Sequence, residues 1–491
     1  QVAGAAARPA DRLDTRLLWR LAATEVAAAS GNAAAARRHL TAGLATLRRY
    51  RELLGTLDLQ TGAAVYGRDL VRHGLRRAIA AGRLAEVFRW AELARAQALL
   101  MPAVRPPADP AAAAALEELR GVRAALDSAE LAGRPTRALR TRVEDLQRAL
   151  REHAWSAPGR DGAGRAARPA GLAEVHADLG AAAMVVYLRD GPVLRALVVA
   201  GGRSRLVRLC PVAHAEEYLR RLRADLDAQA GRALPDRLAL AVHAAARRDG
   251  AALAAAILDP LLGFAGDRDL VVVPTGALLT VPWPALPGCA GRTVTVAPSA
   301  TTWRAARARL RRATPVTRTL LVAGPRNDRG VPEVQAIAGL RGGATVLVGP
   351  DATPAATLAA LPAADLAHLA AHGRHQTDNA LFSGLDLAGG PLMGYDLQQL
   401  PGAPAMVVLS ACDLGLHDVR PGDESLGMAS ALLAAGSGTV VASVCRIADT
   451  TAMTVMTGYH RMLVAGRPPA AALAAAAPPD LLSSFVCFGA G

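Results

Sequence analysis

The chain has 491 residues, enough for two or three domains and a sizeable core. All 56 basic residues are arginine and the formal charge is +14, yet only 3% of residues are aromatic. The arginines are scattered along helical stretches among Asp and Glu, as in "EELRGVRAALDSAE", and stacking rings are scarce, which argues against a nucleic-acid partner.

The Ala/Arg bias reads as the product of a high-GC genome. Five cysteines, Cys210, Cys289, Cys412, Cys445 and Cys487, are an odd number without CxxC spacing, so neither a disulfide framework nor a structural zinc site is expected. "QVAGAAARPADRLDTR" holds no apolar stretch, and no later run is long enough to span a bilayer. The expectations are a cytoplasmic protein, no membrane contact, and, from the opening Gln1, a chain that continues upstream.

Residues 1–155 read as helical. "RLLWRLAATEVAAASGNAAAARRHLTAGLATLRRYREL" gives two helices broken at Gly31-Asn32, and "AVYGRDLVRHGLRRAIAAGRLAEVFRWAELARAQALL" repeats the plan with a break at Gly82. Small and apolar residues recur three and four apart, as in nesting antiparallel helices. The spacing of the two breaks is too long for consecutive tetratricopeptide units, so the region is TPR-like without being a regular array. Next, Leu116, Leu119, Val122 and Leu126 form one stripe, and Leu139, Val143, Leu146 and Leu150 another. They predict a helical hairpin that packs on its neighbours. Residues 156–170, rich in Gly, Pro and Arg, predict a flexible linker.

From residue 171 onward the pattern changes. Runs such as "AMVVYL", "VLRALVVA", "LVVVP", "TLLVAGP", "LAHLAA", "AMVVLS" and "TVVASV" alternate with helical stretches. The alternation predicts a mainly parallel sheet with helices on both faces, because apolar strands without period-two polarity must be covered twice. Two of the runs end in reactive side chains: "LAHLAA" in His372, "MVVLSA" in Cys412. Ligands and chemistry collect beyond the carboxyl ends of such strands. A thiol beside an imidazole forms the nucleophilic thiolate, and the backbone N–H groups of Gly373 and Cys412 are natural oxyanion donors.

Several alternatives are excluded. "HLAAH" has the spacing of two zinc ligands, but Leu369 replaces the required Glu and the segment reads as strand. Without lysine there is no P-loop. "GSGTVV" precedes a strand where a dinucleotide fingerprint follows one, and no G-x-S-x-G elbow occurs.

"LAHLAAHG", "NALFSGLDLAGG", "MVVLSACDLG" and "LGMASALLAAGSGTVVASV", in this order, resemble the CHAT domain, a caspase-like family often attached to TPR repeats. The likeness extends upstream through "LVVVPTGALLTVPWPALPG" and downstream to "LLSSFVCFGAG", over residues 171–491. The N-terminal helices resemble the region preceding CHAT in bacterial multi-domain proteins. The resemblance implies a caspase-like three-layer α/β sandwich behind an all-α TPR-like region. It further implies a cysteine endopeptidase acting through His372 and Cys412, with a protein or peptide substrate, no cofactor and no metal. The helical region would recognise a protein partner or restrain the site. A non-catalytic scaffold or sensor is the alternative. His368 matches a frequent non-catalytic His of the same strand. Asp449 matches a common acidic position, which a helix cap explains equally well. Two departures stand out, Cys445 where a Trp is usual and Leu279 where a His is usual. Asp378, Asp413, Cys445 and Asp449 are the candidates for a substrate pocket, and Asp423 and Glu424 lie in nearby loops.

Overall fold

A computed structural model describes residues 12–52, 54, 63–95, 110–156, 168–230, 234–312, 315–374, 380–411, 418–420, 424–478 and 481–491. Helices α1 (Leu13–Ala29) and α2 (Ala33–Glu52) turn through Gly31, and α3 (Arg68–Ala80) and α4 (Leu84–Ala94) turn through Gly82. Both glycines have φ near +70°, +74° and +64°, a conformation that a side chain disfavours. Helices α5 (Pro110–Leu131) and α6 (Arg137–Ser156) form the expected hairpin, with Leu116, Leu119, Val143, Leu146 and Leu150 buried between them and Phe382, Met393 and Tyr395.

After α7 (Leu172–Leu179) a meander of β1 (Ala183–Asp190), β2 (Val193–Ala200) and β3 (Arg203–Pro211) leads to helices α8 (Val212–Ala230), α9 (Asp236–Ile257) and α10 (Asp259–Ala265). The chain then alternates: β4 (Leu270–Val273), β5 (Val294–Val296), α11 (Ala300–Arg312), β6 (Thr319–Ala323), α12 (Gly330–Leu340), β7 (Thr345–Leu347), α13 (Pro354–Ala360) and β8 (Leu366–Ala370). A small three-stranded sheet follows, β9 (Gly373–Arg374), β10 (Gly384–Leu387) and β11 (Gly390–Met393), with α14 (Gly394–Leu397) behind it. The last part holds β12 (Met406–Ser410), the ribbon β13 (Asp418–Arg420) and β14 (Glu424–Leu426), α15 (Met428–Ala434) and β15 (Thr439–Ser443). Helices α16 (Asp449–Val464) and α17 (Pro469–Ala476) and strand β16 (Phe485–Gly489) complete it.

Eleven strands form the main sheet in the order β3-β2-β1-β4-β5-β16-β15-β12-β8-β6-β7. Most neighbours are parallel; β1 with β2, β2 with β3, and β15 with β16 are antiparallel. Successive residues of one strand serve opposite cores. In β4, Val272 belongs to the core shared with α8–α10, whereas Val271 and Val273 belong to the core shared with the N-terminal helices. On that second face Leu70, Leu75, Val87 and Phe88 share one cluster with Met184, Val186 and Leu197, so the helical region and the sheet have a common core. Farther along the same face, α16 and α17 cover Val408 and Val441, and α12 covers Leu321 and Ala370. The result is three layers, helix on sheet on helix.

Two polar anchors join the helical region to the sheet. Glu92 on α4, fully buried, accepts hydrogen bonds from Ala300 N (3.0 Å), Thr301 N (2.9 Å) and Thr301 Oγ1 (2.6 Å), and so caps α11. Arg95, 1% exposed, donates to the carbonyls of Val273 and Pro274 at the end of β4 and of Tyr187 within β1. Both charges are buried with partners, as desolvation demands. Strand β3, "RSRLVRLCP", escapes the sequence reading because arginines alternate along it. It is the edge of the sheet, where one face meets water.

Candidate active site

Strands β8 and β12 are adjacent and parallel. Their register sets Ala370 opposite Ser410, and Ala371 N donates to Ser410 O at 3.3 Å. His372 therefore leaves β8 two positions after a register pair, and Ala411 leaves β12 one position after it. His372, Ala411, Ile447 and Asp449 line one narrow cleft with Asn327 and Glu333. Ser410 lines it too, and its buried hydroxyl has no hydrogen-bond partner among the described residues. Cys412, Asp378, Asp413 and Asp423 lie outside the described residues, and of Glu424 only the backbone, in β14, is described.

The imidazole of His372 is held from behind. Its Nε2 donates to the carbonyl of Arg326 at 2.7 Å, which leaves the lone pair of the neutral ring on Nδ1. Arg326 has φ +60°, the one non-glycine residue with positive φ among the described residues. Its guanidinium reaches the Asp386 carboxylate at 3.2 Å, and Arg374 reaches the same group at 3.2 Å. Asp386 N donates to His372 O at 2.9 Å. That bond fixes the antiparallel alternation, so Gly373 faces Leu385 as a non-hydrogen-bonded pair and its N–H points away from β10.

Asp449 is the first residue of α16, in its first turn, and the helix begins after Ala448, which supplies no side-chain cap. Asp449 is half-buried and lines the cleft. Cys445 is fully buried in the main core, and its carbonyl accepts from Ser443 Oγ at 2.6 Å. Leu279 is buried as well.

Behind the cleft runs a chain of buried and half-buried polar groups, of which the sequence singles out His368 alone. Arg341 Nε approaches His460 Nδ1 at 3.4 Å, His460 Nε2 lies 3.1 Å from His368 Nδ1, and His368 Nε2 lies 2.8 Å from Glu333 Oε1. Arginine can only donate, so the protons are ordered: His460 Nε2–H donates to His368, and His368 Nε2–H donates to Glu333. Each imidazole is satisfied in its neutral form. Burial, then His368, then Arg341 hold the His460 pKa well below the usual histidine value. These residues lie 35 and 92 positions from His368, and no local spacing signals them.

Of the remaining thiols, Cys289, Cys445 and Cys487 are buried and Cys210 is half-buried. Burial pushes Cys289 and Cys487 up to about 12, and raises Cys210 as well. Among the described residues no group of three or more His, Cys, Asp and Glu is arranged to hold a metal ion, and no helix is long and apolar enough to cross a membrane.

Residues 247–478 match the family model of the CHAT domain. No curated protein matches in sequence. Among solved structures, two of the Saccharomyces cerevisiae separase–securin complex superpose with a TM-score of 0.52 at 8% identity, over 93% and 97% of this chain. The chain spans 37% and 40% of the length of those separase structures. The Arg-specific cysteine proteinase gingipain R gives a TM-score of 0.35 at 13% identity, over 56% of this chain and 75% of that one. The mostly parallel sheet with helices on both faces is the caspase-like fold, set behind an all-helical N-terminal region, and the part of this chain similar to the CHAT domain is residues 247–478.

Proposed function

We propose that the chain is a cysteine endopeptidase in which His372 and Cys412 form the catalytic pair. The observation that carries this reading is the parallel register of β8 with β12, which brings His372 and the residue before Cys412 to one cleft. The thiol proton passes to His372 Nδ1, and the thiolate attacks the peptide carbonyl carbon. The N–H groups of Gly373 and Cys412 hold the oxyanion, the C–N bond breaks as His372 returns its proton to the amine, and water then releases the acyl group. Asp449 at the cleft supports recognition of a basic side chain beside the scissile bond, by charge-assisted hydrogen bonding in a half-buried site.

The helical region regulates or recruits in this reading. Its α5–α6 hairpin packs on the β9–β11 insert, which follows His372 in the chain, and Arg120 pairs with the buried Asp396 at 2.6 Å. Cys412→Ala and His372→Ala should each abolish cleavage of a peptide library and of candidate partner proteins. Asp449→Asn should remove a preference for Arg or Lys at the cut. Wild-type protein that cuts nothing, with iodoacetamide showing no preference for Cys412 over the four buried or half-buried thiols, sinks the enzyme reading and favours a scaffold.

A further inference from the structure

Resting on the His372–Cys412 reading, we propose that Asp386 is a positioning residue that sets the orientation and tautomer of His372. Asp386 is 6% exposed, yet it is a charged carboxylate, and such a group persists in a core only when its partners matter to the structure around it. Its partners converge on one imidazole. The backbone N–H of Asp386 holds the His372 carbonyl. Its carboxylate holds the guanidinium of Arg326, whose own carbonyl takes the His372 Nε2 proton. It also holds Arg374, two residues beyond His372. Both arginines make other contacts as well; among the described residues both bond to the Asp386 carboxylate.

The Arg326 carbonyl needs this support. At φ +60° a residue with a side chain is strained, at a cost on the order of 1 kcal/mol, and it returns to ordinary backbone geometry unless its surroundings hold it. The approach to it is tight. A Cβ on Gly324 would lie 2.3 Å from Asp386 O and 2.5 Å from Ala371 Cβ, so the loop after β6 packs directly against the Asp386 backbone and the end of β8. Asp386 thus fixes the loop through both its backbone and its side chain. A released carbonyl would let the ring rotate or take its proton on Nδ1, and a ring protonated there cannot receive the thiol proton.

The test uses the full chain. ¹⁵N-histidine labelling, with His372 assigned by its loss in His372→Gln, reads the tautomer directly. The rate of iodoacetamide alkylation at Cys412 reads its consequence. Wild type should show His372 with the proton on Nε2. Asp386→Asn should give a mixture of tautomers and slow Cys412 alkylation about 10- to 100-fold, with kcat falling and KM little changed on any peptide that is cut. Asp365→Asn, which breaks a comparable arginine pair at the opposite end of β8, should change neither readout. A wild-type His372 carrying its proton mainly on Nδ1 overturns the proposal even if Asp386→Asn does not fold. A folded Asp386→Asn with unaltered tautomer and alkylation rate overturns it too. If instead His372→Gln leaves Cys412 alkylation unchanged, the catalytic pair itself is refuted.

Discussion

Glu92→Gln should loosen the joint between the helical region and the sheet. Among the described residues the carboxylate takes one hydrogen bond on Oε1, from Ala300 N, and two on Oε2, from Thr301 N and Thr301 Oγ1. Gln keeps one oxygen and turns the other position into a donor, so at least one N–H of α11 faces another N–H. Losing a charge-assisted hydrogen bond costs about 1.5–3 kcal/mol, and losing a buried negative charge at a helix N-terminus costs about 1 kcal/mol more. Relief of the buried charge offsets part of this, leaving a destabilisation of about 3 kcal/mol. Urea denaturation followed by far-UV circular dichroism measures it, and limited proteolysis should cut α1–α4 faster in the variant. Thr301→Val removes the bond from Thr301 Oγ1 while keeping the shape, so the double variant should show a coupling of about 1 kcal/mol. A Glu92→Gln effect below about 1 kcal/mol, or strict additivity with Thr301→Val, refutes the reasoning.

Three further outcomes follow from other parts of the molecule. Gly74→Ala should destabilise by about 1–3 kcal/mol in thermal unfolding, because the new Cβ would lie 2.4 Å from the buried Trp90 ring. Arg120→Met strands the buried Asp396, whose carboxyl burial already pushes upward; the cost should be about 3 kcal/mol at pH 7 and shrink in acid as Asp396 takes a proton. The depressed pKa of His460 makes stability pH-dependent: its contribution is intact above the unfolded-state value of about 6.5. It falls as pH drops through that value, because the unfolded chain binds a proton that the folded one refuses. Denaturation at pH 7 and pH 5.5 should show a slope of up to about 1.4 kcal/mol per pH unit that His460→Gln lacks, and equal slopes in both proteins contradict it.

What the sequence discloses depends on how locally each feature is encoded. "LVVVP", "LAHLAA" and "AMVVLS" announce β4, β8 and β12 because strands covered on both faces have no polar side to disguise them. The hairpin α5–α6 is legible from stripes at helical spacing, and the burial of Leu119 and Leu150 follows those stripes. Strand β3 is hidden by alternating arginines, and β9–β11 by their shortness. The same split runs through the site. His372 stands out because a polar residue ends an apolar run. Arg326, Glu333, Asp386 and His460 carry no such mark, since each acts across a fold-level contact between distant segments. His368 reads as a packing residue on its strand, yet its two hydrogen bonds to Glu333 and His460 arise only once α12 and α16 lie against β8.

The position of the cleft follows from a change of strand direction. Strands β6, β8, β12 and β15 are parallel neighbours, so the loops after them all emerge on one rim. Those four loops deliver Asn327, His372, Ala411 and the Ile447–Asp449 segment to the same place. The next strand, β16, runs antiparallel to β15, and β5 follows β16, so this rim stops receiving carboxyl ends there. The site is therefore bounded on one side by topology. Changes of length in the loops after β6 or β15 should alter what the cleft accepts while leaving the β8–β12 register, and with it the approach of His372 to the end of β12, in place.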